Sequence, residues 1–163
     1  MTRTQPTSTD RPPDRLSTAL WEADRHTLAL SAAVHDWRAA DVVSLEQIEQ
    51  DSALMRLADQ LVFRFTKLQD AMGERLMPAT LAYLAEPYED RPMRDRLNRL
   101  EKLGYLDLRD WLHWRDLRNQ LAHEYPDQAE QRLQTLQATV MAATHLMATY
   151  RSWQQKLKKD TSI

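Results

Sequence analysis

Apolar residues recur at steps of three and four along most of the chain, and no segment alternates apolar with polar as a half-buried strand would. The clearest stripe is Leu54, Leu57, Leu61, Phe65, Leu68, Met72 and Leu76, which on a helical wheel falls within about 100°. Ser44 and Gln47 ahead of it have capping-box spacing. Pro78 is expected to end or kink this helix near Met77. An earlier helix is expected over 14–37, with Leu16, Leu20, Ala23, Leu28 and Val34 as a looser stripe. The stretch Glu86–Pro92 reads as a loop, and a short helix follows with Met93, Leu97 and Leu100 to one side and Gly104 as its C-terminal cap. Asp107 is placed to cap the next helix and Pro126 to mark its end. A last helix is expected over 127–156, with Leu133, Leu136, Val140, Thr144 and Met147 inward. The expected fold is all-α, an up-and-down bundle of about four to five helices. One domain would span 14–157, flanked by a disordered polar tail over 1–13 and a frayed, lysine-bearing end over 158–163.

Composition narrows the classes. With 163 residues, 42% hydrophobic and 28% charged, the chain suits one soluble domain with a true core. The net charge of -2 gives no global basic field, so any nucleic-acid contact has to come from a local patch. There are no cysteines, which excludes disulfides and thiolate metal sites and agrees with an expected cytoplasmic location. No apolar run approaches the roughly 18 residues of a membrane helix, and the opening MTRTQPTSTDRPPD lacks a signal peptide's apolar stretch. His26, His35, His113 and His145 have no partners at metal-ligand spacing, so neither a metal nor a cofactor is expected.

The segment Arg118-Asn119-Gln120-Leu121-Ala122-His123-Glu124-Tyr125 carries the candidate chemistry. A histidine can move protons near neutral pH, and an arginine can hold a phosphate with a planar fork of donors. On a continuous helix Asp116, Asn119 and His123 would share one strip, while Arg118 would align with Trp111, Trp114, Ala122 and Tyr125. Two copies face to face would enclose a groove with two arginines and two histidines, which is the reason to expect a homodimer. The spacing alone is met equally by two cations near a helix C-terminus, favoured by the dipole by about 0.3–1 kcal/mol.

The stretch Trp114–Tyr125 resembles the signature of HEPN domains, and its R-N-x-x-x-H-x-Y form is similar to the HepT branch. FRFTKLQDAMGERLMPATLAYL, beginning at Phe63, and LEKLGYLD, beginning at Leu100, resemble the helices preceding that signature. The likeness covers roughly Leu54 to Tyr125; the final helix agrees only in kind, and the N-terminal extension through Trp37 has no counterpart. The resemblance implies a dimeric helical bundle and a metal-independent endoribonuclease, with Arg118 and His123 as the catalytic pair and Asn119 as their polar companion. It further implies a type VII toxin–antitoxin system, in which a nucleotidyltransferase antitoxin of the MNT type silences the toxin by transferring AMP to Tyr125.

Other features have competing readings. Phe63, Lys67, Asp70 and Glu74 lie opposite the long stripe: Phe63 would mark an interface if exposed, and Asp70 is either a solvated surface group or one that orients a catalytic residue. Arg56, Arg64, Lys67 and Arg75, or Arg91, Arg94, Arg96, Arg99 and Lys102, would grip an RNA backbone or simply form solvated faces. Trp111 and Trp114 would pack in a core or stack on bases. A non-catalytic helical companion of a nucleotidyltransferase is the alternative function. A DNA-binding regulator is disfavoured by the charge and by the lack of a helix-turn-helix segment.

Overall fold

The computed structural model describes residues 11–123 and 129–161. Among them the secondary structure is entirely helical. The elements are α1 (Pro12–Ala40), α2 (Leu45–Gln50), α3 (Ser52–Ala71), a wide π turn (Met72–Leu76), α4 (Met77–Tyr83), α5 (Met93–Lys102), α6 (Leu108–Leu121) and α7 (Ala129–Thr161).

Each boundary has a local cause. Pro12 and Pro13 open α1 because a first-turn proline forfeits no intrahelical bond. The expected tail boundary therefore falls inside a helix, although residues 1–10 lie outside the described ones. Ser44 and Gln47 do form a capping box, but it starts the short α2 and not the long helix. The long helix begins instead where the Asp51 carboxylate accepts bonds from the Ala53 and Leu54 amides at 2.9 and 3.3 Å. Gly104 ends α5 with φ of 84°, as expected, and the Asp107 side chain caps α6 through the Asp110 amide at 3.0 Å.

An element boundary does fall at Met77, with Pro78 in the first turn of α4, but the chain stays helical across it. The chain widens over Met72–Leu76, with the Met77 amide bonding the Met72 carbonyl, and α4 then continues through Pro78. A proline inside a regular α-helix clashes with the carbonyl four residues earlier. A π turn shifts that carbonyl out of register just where the ring needs room.

The long helices α1, α3 and α7 pack on one another; α2 lies against α3 and α7, α6 against α3 and α7, and α5 bridges α4 and α6. The whole stripe on α3 and the π turn is buried or half-buried, as expected. On α1 the buried line runs through Leu16, Ala19, Ala23, Leu30, Val34 and Trp37; Leu28 is 77% exposed because it sits off that line. On α7 the inward side is centred later than expected. Leu133 and Leu136 are half-buried, while Tyr150, Trp153 and Leu157 are buried. The helix also continues through Thr161, past the expected frayed boundary. There Asp160 accepts a 2.6 Å bond from the Tyr105 hydroxyl and pairs with Lys156 at 3.4 Å.

Two side-chain contacts tie α7 to α4 and to α1. Trp153 Nε1 donates to Thr80 Oγ1 at 3.0 Å, and both residues are fully buried. The Tyr150 hydroxyl lies 2.7 Å from the Asp24 carboxylate, and burial with that carboxylate raises its pKa. A third contact is pH-sensitive. Arg64 donates to His26 Nδ1 at 3.2 Å, which requires a neutral imidazole, and burial followed by the Arg64 charge lowers the His26 pKa against a smaller opposing pull from Glu22.

Thr80→Val keeps the shape but strands the Trp153 N–H, so stability measured by urea unfolding should fall by about 1–3 kcal/mol. The unfolded His26 takes up its proton near pH 6.5, above the folded value, so its contribution is complete above about 6.5 and is lost as pH falls. The melting temperature should accordingly drop between about pH 7.5 and 5, and His26→Gln should flatten that slope; an unaltered slope would remove His26 as its source.

Candidate functional site

α6 is positioned by its aromatic face. Trp111 and Trp114 are buried, with rings edge to face at 6.2 Å between centroids. They form core, and base stacking by either is excluded. Trp111 lies over Gly73 in the π turn, so close that a Cβ there would meet its ring at 3.1 Å. Arg118 follows Trp111 by seven residues, or about two turns, and so projects from the same side of α6 toward α3. There it meets Asp70. Arg118 Nε and a terminal nitrogen donate to the two carboxylate oxygens at 2.8 and 3.1 Å, a bidentate pair. Of the two readings for Asp70, the solvated surface group therefore gives way to the one that orients a site residue.

His123 does not ride on the helix. α6 stops at Leu121, Ala122 is its C-cap, and the His123 amide bonds the Gln120 carbonyl at 3.2 Å. The expected strip of Asp116, Asn119 and His123 therefore fails, because a wheel angle means nothing beyond the last helical residue. Asn119 is exposed on the last turn of α6. Tyr125 and Pro126 lie outside the described residues.

Arg118 and His123 nevertheless meet at one feature. Both line a half-open cleft of about 730 Å³ between α2, α3, the end of α6 and the start of α7. Its α3 wall comes from Met55, Asp59, Val62 and Thr66, which share one face at steps of four, three and four. Phe63, 50% exposed, stands beside them, and α7 adds Arg132. Arg132 and Asp59 belong to no motif; charged positions on amphipathic helices are too common to single out. Two cations and an imidazole beside apolar walls can hold a phosphate-bearing organic ligand and move a proton on it.

The other basic groups are spoken for in part by the protein itself. Arg99 pairs with both Glu86 oxygens at 2.9 and 2.6 Å, which lowers the Glu86 pKa through that bond and raises that of Arg99. Arg96 donates to the Arg91 and Glu89 carbonyls at 3.0 and 3.4 Å, holding the loop before α5. Arg75 bonds Glu22 at 2.8 Å across to α1.

The fold and site thus define an all-α protein with one arginine–carboxylate pair and one histidine on a common cleft. No protein-family model, no curated protein and no solved structure matches the chain. Among the described residues no helix is long and apolar enough to cross a membrane.

The Arg118 and Asp70 side chains are 36% and 27% exposed, so solvent screens their pair and it contributes under about 1 kcal/mol to stability. Its larger effect is on orientation. Asp70→Ala should leave the urea midpoint nearly unchanged while speeding exchange of the Arg118 Nε proton with water, followed by nitrogen-15 NMR. An equally slow exchange in the variant would show that Asp70 does not hold the guanidinium.

Proposed function

We propose that this protein is a metal-independent endoribonuclease and a HepT-like toxin with a HEPN-like up-and-down helical arrangement. The observation that carries the reading is the shared cleft: the two motif residues expected to act together, Arg118 and His123, line one open space, and Arg118 is already held by its carboxylate.

The chemistry follows from these side chains. The His123 imidazole takes the proton from a ribose 2′-hydroxyl, and the freed oxygen attacks the adjacent phosphorus. Negative charge builds on the phosphorane and is met by Arg118. The bond to the 5′-oxygen breaks and that oxygen takes a proton from water, leaving a 2′,3′-cyclic phosphate on one product and a 5′-hydroxyl on the other, while the imidazolium returns its proton to solvent. General base help of this kind is worth about 10²- to 10⁴-fold, and a preorganised cation adds a comparable factor. Asn119 assists by contacting the phosphate or the imidazole. A homodimer would bring a second set of the same groups to the substrate.

Control would come from an MNT-type nucleotidyltransferase antitoxin that transfers AMP to Tyr125. A phosphodiester on the Tyr125 oxygen would offer Arg118 a competing anion. The second reading, a non-catalytic nucleotide-binding companion, draws on the same cleft: apolar walls beside two cations suit a bound nucleotide as well as a cleaved one.

Labelled RNA incubated with the purified protein in EDTA should be cut to 2′,3′-cyclic phosphate ends, and His123→Ala and Arg118→Ala should each lower the rate by at least about 10²-fold. Binding without cleavage in the unaltered protein would favour the companion reading. In cells, expression alone should stop growth and His123→Ala should relieve it, and co-expression with the antitoxin should add AMP mass to the intact chain.

A further inference from the structure

Phe63 has no structural task that its position explains. It sits on α3, half of its surface is exposed, and it projects beside the core stripe and not into it. It shares the cleft with Arg118 and His123. It is also surrounded by positive charge: the Arg64 guanidinium lies 5.3 Å and the Lys67 ammonium 5.5 Å from the ring centroid. Such cation–π contacts at a surface are weak and yield to a better partner.

Resting on the nuclease reading above, we propose that Phe63 is a base-stacking platform, and that the cleft takes single-stranded RNA with one base laid on this ring. The spacing along α3 fits. Phe63 precedes Asp70 by seven residues, so the two share a face about two turns, or roughly 10 Å, apart along the axis. Asp70 holds Arg118, so the platform and the phosphate anchor stand side by side along one helix. A base laid on the ring would displace the weak Arg64 and Lys67 contacts, with Arg64 keeping its bond to His26. Arg132 adds a cation from α7, while Glu49 and Asp59 disfavour phosphate in their own vicinity. The strand would lie with its backbone toward Arg118 and Arg132 and a base toward Phe63. Bases paired in an A-form duplex are stacked on their neighbours and present no free face. Duplex RNA is therefore excluded from the platform, while base identity is read weakly because every base has a π-face.

The test separates stacking from cleavage. A short labelled oligonucleotide with 2′-O-methyl riboses lacks the nucleophile and so reports binding alone, by fluorescence anisotropy with the full chain. Phe63→Ala should weaken binding roughly tenfold or more, and Phe63→Trp should retain it. An abasic oligonucleotide of the same length should bind as weakly to the unaltered protein, and Phe63→Ala should cause no further loss with that ligand. Equal losses on the abasic and base-bearing strands, unchanged affinity in Phe63→Ala, or no binding by the unaltered protein would each overturn the platform. So would a Phe63→Ala variant that changes oligomeric state by light scattering and loses affinity only through that change, since Phe63 would then be a subunit contact. Base-dependent binding without cleavage of ordinary RNA would sink the nuclease reading and leave the platform standing. Cleavage unaffected by Phe63→Ala at low substrate would do the reverse.

Discussion

The placement of α6 rests on the packing of its two tryptophans. The Trp111 ring lies against Gly73 of the π turn, where a Cβ would stand 3.1 Å from the ring. With Trp111 and Trp114 seated, both the position and the rotation of α6 are set. Two turns further on the same side emerges from the core, and the residue it presents is Arg118, opposite Asp70. The π turn serves a second purpose, since it joins α3 to α4 with Pro78 in the first turn of α4 and both helices packed on α1.

The pairing of Arg118 with Asp70 matters for geometry more than for stability. Both groups are partly exposed, so solvent screens their attraction. A bidentate contact nonetheless restricts an arginine that would otherwise sample many rotamers, and it points the remaining donors along the cleft. Around this anchor the cleft draws on four separate elements and combines apolar walls with Arg118 and Arg132. These local cations substitute for a global field, which a net charge of -2 does not provide.

Much of the fold was legible because helices declare themselves through local rules. The stripe from Leu54 to Leu76, the glycine cap at Gly104 and the Asp107 cap each follow from interactions within a few residues. The misplacements arose where two local signals competed. Ser44 and Asp51 are both good caps seven residues apart, and the chain uses both, inserting α2 between them. Pro78 signals a break, and only the wider turn before it shows how the helix survives. Leu28 is apolar but lies off the line that faces α3.

By itself the sequence determined the all-helical class, most of the buried stripes and the presence of an arginine and a histidine in one short motif, because these depend on spacing along the chain. Tertiary structure alone decided that Asp70 holds Arg118, that Trp111 and Trp114 are core, and that Phe63 and Arg132 share a cleft with His123. Most of those contacts join residues dozens of positions apart, as Asp70 and Arg118 are. Their existence depends on how the helices pack, and beside this site a tryptophan ring of α6 lies on a glycine of the π turn.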